Sequence, residues 1–194
     1  TCLVYRRILF FTRVIFLEKL MANDTPNTDW SSTVFSLLRE AGVELFCYVP
    51  DAGNDRLISL AEKDNKTRTI LLTTEEEGLA ICAGADLVGG RGILCMQSSG
   101  VGNCPNYLSL VRAASFPLLM MVTMRGDFGE QNPWQYPMGQ AVIPILETMG
   151  VLTLKVDHID DLEKSVLAAL GATEKGAQSA AIVLGQKFLG AKGF

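Results

Sequence analysis

Residues 69–97 read TILLTTEEEGLAICAGADLVGGRGILCMQ, and this stretch decides the fold. TILLT (69–73) and GILCMQ (92–97) are short apolar runs of the kind that form strands covered on both faces. Between them EEEGLAICAGADLVGG reads as a helix whose small residues let it approach its neighbours closely, closed by Gly89, Gly90 and Gly92. A strand, a helix and a strand in this space imply a right-handed crossover and a parallel pair.

The same alternation continues outward. Upstream, Ser31 or Ser32 is placed to cap a helix in which Val34, Leu37, Leu38 and Ala41 share a face and Gly42 ends it. VELFCYVP then reads as a buried strand stopped by Pro50, and RLISLAEKD as a short amphipathic helix with Leu57, Leu60 and Ala61 inward. Downstream, NYLSLVRAASF is a helix, PLLMMVTM a strand and RGDFGEQNPWQYPMGQ a long polar loop. A helix at AVIPILETMG, a strand at VLTLKV, a helix at IDDLEKSVLAALGATEKG and a strand at AAIVLG complete the pattern. The fold class is α/β: three layers, α/β/α, around a mainly parallel sheet.

Composition sets the outer limits. The chain has 194 residues, 48% of them hydrophobic and 20% charged, enough for one domain with a real core. A net charge of -4 offers no basic face for nucleic acid. Arg6, Arg7, Arg13, Glu18 and Lys19 interrupt residues 1–20 well short of the ~20 apolar residues a membrane span needs. Met21 opens a polar segment, MANDTPNTDW, that looks like a protein start, so residues 1–29 are read as an N-terminal extension and 30–194 as the domain. The five cysteines, Cys2, Cys47, Cys82, Cys95 and Cys104, include no CxxC pair and read as reduced thiols of a cytoplasmic protein. His158, the single histidine, stands without Cys or His neighbours and is given no role, and no metal site is assigned.

In a parallel sheet, ligands bind beyond the carboxyl ends of the strands. The loops there are VPDAGN, TTEEEG, QSSGVGN and RGDFGEQNPWQYPMGQ, all rich in Gly and polar residues. Glu75, Glu76 and Glu77 stand at a helix start, where the macrodipole alone favours acids by roughly 0.3–1 kcal/mol each. By composition they need no function.

The helix that follows changes the balance. TEEEGLAICAGADL resembles the glutamate motif of thiamine-diphosphate (ThDP) enzymes, in the domain that binds the cofactor's pyrimidine (the PYR domain). Counting back nine residues from Gly84 puts the family glutamate on Glu75, with Glu76 as the alternative and Glu77 the weakest of the three. The resemblance implies that this carboxylate shares a proton with the aminopyrimidine and so activates the cofactor.

About 25 residues on, MQSSGVGN (Met96–Asn103) resembles the MQNSGLGN segment of phosphonopyruvate decarboxylases and sulfopyruvate decarboxylase α subunits. It implies cofactor contacts from Gln97, Ser98, Ser99, Gly100 and Asn103, although Ser98 replaces the family Asn. A tight turn explains the glycines as well. MRGDFGEQNPWQYPMG resembles the loop that covers the 2-oxoacid, with Arg125 as the anion partner and Gln135 and Tyr136 alongside; VPDAGN adds Asp51 and Asn54. Arg125 in an ordinary surface turn is the competing reading, and Tyr136 stands where phosphonopyruvate enzymes have a histidine.

These likenesses span nearly all of residues 30–190. They imply a PYR-domain fold and a carboxy-lyase, a decarboxylase of sulfopyruvate- or phosphonopyruvate-like 2-oxoacids. No Gly-Asp-Gly occurs in the sequence, so the diphosphate and its magnesium are expected on a partner, a β-type subunit. A homo- or hetero-oligomer follows, with an apolar docking patch expected on the helix holding Gly78 to Leu87. The alternative is a non-catalytic PYR-like module that regulates or scaffolds a partner. A nucleotide-binding protein using SSGVGN ranks last, because the loop lacks the Lys of a P-loop.

Overall fold

The computed structural model describes residues 29–190. The expected N-terminal extension lies outside the described residues except for Asp29. That residue caps the first helix, α1 (Trp30–Glu40): its carboxylate accepts from the Ser32 amide and from the Ser31 and Ser32 hydroxyls. The cap expected at Ser31 or Ser32 is therefore displaced, because a carboxylate is the stronger acceptor and both serines lie inside the first turn.

The chain then runs β1 (Leu45–Tyr48), α2 (Asp55–Lys63), β2 (Arg68–Leu71), α3 (Glu75–Asp86), β3 (Gly92–Gln97), a 3₁₀ turn (Ser98–Asn103) and α4 (Pro105–Ala114). β4 (Leu119–Thr123) leads through a second 3₁₀ turn (Pro133–Gln135) into α5 (Tyr136–Thr148). β5 (Leu152–Val156), α6 (Ile159–Gly176), β6 (Ala180–Leu184) and α7 (Gln186–Leu189) follow. Several boundaries differ from expectation, two of them near the loops beyond the strands. SSGVGN is helical, and α5 starts at Tyr136, inside the long polar loop, because Pro137 suits a first helical turn where its missing N–H costs nothing.

The sheet has six strands in the order β2-β1-β3-β4-β6-β5, every neighbouring pair parallel. The three-layer α/β expectation holds. Alternation along the strands divides the core. Leu94, Met96, Met120, Val122, Ala181 and Val183 face the layer of α3, α4 and α5. Ile93, Cys95, Leu119, Met121, Ala180 and Ile182 face α1, α2 and α6. Each fully buried Leu or Met here contributes roughly 1.5–3 kcal/mol.

Chain order reverses between β1 and β3, since β2 lies on the far side of β1. Such a reversal opens a crevice at the strands' carboxyl ends, between loops that leave in opposite directions. The loops after β1 and β3 are VPDAGN and the SSGVGN turn. On α3, Gly78 presses on the sheet: a β-carbon there would lie 2.5 Å from a Leu94 methyl and 2.7 Å from one of Leu72. Gly78 and Leu79 therefore belong to the inner face, not to the docking patch expected from Gly78 to Leu87. Outward on that helix are Ala80 and Gly84, followed just past its end by the exposed Leu87 and Val88.

Candidate functional site

The three acids at the start of α3 separate cleanly. Glu77 folds back to accept from the Thr73 amide at 3.0 Å and hydroxyl at 2.7 Å, and Glu76 accepts from the Thr74 hydroxyl. Both are ordinary devices for closing a helix start. Glu75 alone of the three turns inward and is buried, 8% exposed.

The 3₁₀ turn after β3 meets it there. Asn103 Nδ2 donates to Glu75 Oε2 at 2.8 Å. A β-carbon on Gly100 would fall 2.3 Å from Glu75 Oε1, so only glycine lets this backbone come so close. Cys104 ties off the turn by donating its thiol to the Gly100 carbonyl at 3.4 Å, and burial, with the Glu75 charge adding, pushes that thiol up to about 12.

A second set of polar groups occupies the crevice between β1 and β3. Asp51 accepts from Asn54 Nδ2 at 3.2 Å, from Gln97 Nε2 at 3.4 Å and from the Thr123 hydroxyl. Gln97 Oε1 in turn accepts from Ser99 Oγ at 3.0 Å and Gln135 Nε2 at 3.4 Å. Asn54 and Gln135 are almost wholly buried, and the carbonyl oxygen of each is without a hydrogen-bond donor. Such acceptors call for a ligand or water carrying a donor.

A third group centres on Glu130, which is buried at the base of the long loop. Arg125 donates to it twice, Nε to Oε2 at 2.6 Å and Nη2 to Oε1 at 2.7 Å. The amides of Gly126, Gln131 and Asn132 and the side chain of Gln186 also donate to this carboxylate. Arg125 holds the Glu130 carboxyl far below the usual carboxylate range against the opposing effect of burial, and Glu130 raises Arg125 in return. Tyr136 is half-exposed, and its hydroxyl donates to the Glu130 backbone carbonyl. Ser98, fully buried, accepts from the Arg125 amide at 2.9 Å and donates to the Arg125 carbonyl at 3.2 Å, joining the turn to this group.

The sequence-selected residues thus gather at the carboxyl ends of β1 to β4 in three arrangements: Glu75 with Gly100 and Asn103; Asp51 with Asn54, Gln97, Ser99 and Gln135; and Arg125 with Ser98 and Tyr136. Arg125, expected as an anion partner, is engaged by an acid of its own loop. Glu130, Thr123 and Gln186 were not singled out. An Arg and a Glu five residues apart in a polar loop were the available signal for Glu130; Gln186 comes from the far end of the sequence and had none. Among the described residues no group of three or more His, Cys, Asp or Glu side chains is placed to hold a metal ion. Recesses of about 140 and 150 Å³ lie at the amino ends of the strands, lined by residues such as Phe116, Val151 and Ser179 or Gly92, Leu118 and Thr173, away from Glu75.

No family model matches the chain. It is 36% identical over 126 residues to the sulfopyruvate decarboxylase subunit alpha of Methanocaldococcus jannaschii, covering 64% of this chain and 75% of that subunit. It is 35% identical over 130 residues to the phosphonopyruvate decarboxylase of Streptomyces viridochromogenes, covering 66% of this chain and 33% of that enzyme. Among solved structures it is similar to a 2-oxoglutarate:ferredoxin oxidoreductase from Magnetococcus marinus, with a TM-score of 0.61, 13% identity, 82% of this chain covered and 29% of the other. At that identity the likeness speaks for the fold alone. By the extent and level of its sequence identity, the chain belongs to the sulfopyruvate decarboxylase alpha-subunit family.

Proposed function

We propose that this chain is the pyrimidine-binding subunit of a ThDP-dependent decarboxylase of 2-oxoacids bearing a sulfonate or phosphonate, with residues 30–194 as the PYR domain. One observation carries the reading: Glu75 is the single inward-turning acid of its triplet, held between Gly100 and Asn103 at the carboxyl ends of the strands. A buried carboxylate facing a cleft is the group an aminopyrimidine nitrogen requires for proton sharing. When bound, the cofactor supplies the electron sink for loss of carbon dioxide.

The chain's own residues do the rest. Glu75 holds and exchanges a proton with the pyrimidine nitrogen. Asp51, Asn54, Gln97 and Gln135 line the crevice on the substrate side, where orphan acceptors remain for donors on a ligand or its water. The diphosphate and magnesium fall to a β-type partner. The exposed Leu87 and Val88 just past α3 and Tyr107 and Leu110 on α4 support a docking face for it. Four buried free thiols, Cys47, Cys82, Cys95 and Cys104, support a cytoplasmic setting.

The test mixes the chain with its candidate β-type subunit, ThDP and magnesium and measures aldehyde release from sulfopyruvate and phosphonopyruvate, beside a Glu75→Gln variant. Turnover that the substitution abolishes supports the reading. Failure of the mixture either to bind ThDP or to turn over any 2-oxoacid leaves the non-catalytic module.

A further inference from the structure

We infer that the SSGVGN turn is a clamp on Glu75, with Asn103 as a positioning residue and Gly100 as the spacer that sets its distance. The inference rests on the proposed role of Glu75 and goes beyond it, since the resemblance assigns these residues to the cofactor itself.

A glutamate at a helix start has three side-chain torsions and, left alone, samples several of them. Here each oxygen of Glu75 meets a different part of the turn. Asn103 Nδ2 fixes Oε2 at 2.8 Å. The bare α-carbon of Gly100 walls off the other side, so close that a single added methyl would sit 2.3 Å from Oε1 and 2.5 Å from the carboxyl carbon. One hydrogen bond and one steric wall suffice to choose a single orientation of a planar carboxylate.

The turn is itself held rigid. Cys104 donates its thiol to the Gly100 carbonyl and its amide to the Val101 carbonyl, Val101 is fully buried, and Ser98 is pinned to both backbone groups of Arg125. From α5, Met138 packs over Gly102, its sulfur 3.3 Å from where a β-carbon would stand. Asn103 thus hangs from a fixed frame, and its amide aims at Glu75, not outward at a ligand.

A positioning role separates cofactor activation from cofactor binding. The experiment uses the chain assembled with its β-type partner and magnesium and reads two quantities for each variant: the dissociation constant of ThDP, and the rate at which the bound cofactor's thiazolium proton exchanges into deuterium oxide. For Asn103→Ala the exchange rate is expected to fall about tenfold, the factor set by one ordinary hydrogen bond, while the dissociation constant stays within about threefold. Asn103→Gln, which can restore a donor, is expected to recover part of the loss. Gly100→Ala, which displaces the carboxylate outright, is expected to slow exchange more than Asn103→Ala does.

Wild-type exchange in Asn103→Ala, with exchange lost in Glu75→Gln, overturns the clamp and leaves Glu75 in its role. A dissociation constant that weakens as much as exchange slows overturns it too, making Asn103 a cofactor contact. Wild-type exchange in Glu75→Gln removes the role of Glu75 and the clamp together. Thermal unfolding of Asn103→Ala, whose side chain is exposed, is expected to match wild type, so its exchange defect is read on a folded protein.

Discussion

Glu75 and Glu130 are both buried carboxylates near the carboxyl ends of the same sheet, yet their surroundings differ in kind. Around Glu130 a bidentate arginine, three backbone amides and Gln186 fill the available acceptor positions. Around Glu75 the side-chain hydrogen bond among the described residues is the one from Asn103. A carboxylate has about four lone-pair sites, so Glu130 is spent on its own loop while Glu75 keeps capacity for another partner. Saturation fits a structural acid, and spare acceptor capacity fits the proton-exchanging role proposed for Glu75.

The sharpest way to break the contrast is to exchange each acid for its neutral isostere. Glu75→Gln is expected to lower turnover of the assembled enzyme by about 10²–10⁴, the usual worth of a positioned acid–base group, and to shift chemical denaturation by less than about 1 kcal/mol. A large loss of stability with little loss of turnover would reverse the roles assigned to the two acids.

Glu130→Ala should do the opposite. It takes the bidentate carboxylate away from the Arg125 guanidinium, whose side chain is 12% exposed, and from several amides, and removal of one member of a buried pair costs about 3–5 kcal/mol. Urea denaturation of the purified chain measures it. Ser98→Ala, which loses two bonds to the Arg125 backbone from a fully buried site, is expected to cost about 1–3 kcal/mol by the same assay.

Acid gives a gentler probe. The folded Glu130 carboxyl sits below its ordinary value because of Arg125, so its contribution is fully present above roughly pH 5 and is lost as pH falls below that. Urea midpoints for wild type should therefore drop between pH 5 and 3 more steeply than those of Glu130→Gln. Equal slopes would remove the ion pair from the account of stability. The smallest effect is expected for Tyr136→Phe, which deletes one half-exposed hydroxyl bond to the Glu130 carbonyl and costs about 0.5–1.5 kcal/mol.

Several features are legible in the sequence. The apolar runs at β3, β4 and β6 and the turn residues between them suffice for a parallel sheet, because strands covered on both faces are apolar at nearly every position. β2 was harder to bound: it is an edge strand whose ends are exposed, so TILLT overstated it at one end and missed Arg68 at the other. The glutamate triplet was visible, and its spacing from Gly84 favoured Glu75, but sequence left Glu76 open. Side-chain direction at a helix start depends on what the neighbouring turn offers, here the threonines that take Glu76 and Glu77.

Local periodicity and short motifs were enough for the order of the strands and of the helices between them, for the small-residue helix and for the family. Which acid is buried, the approach of Gly100 to it and the pairing of Arg125 with Glu130 emerged from the folded chain. These are contacts in three dimensions between separate elements and turns, which local patterns do not encode. Gly100 and Glu75 meet only because β1 places β2 and β3 on either side of it, bringing the ends of two crossovers to one crevice.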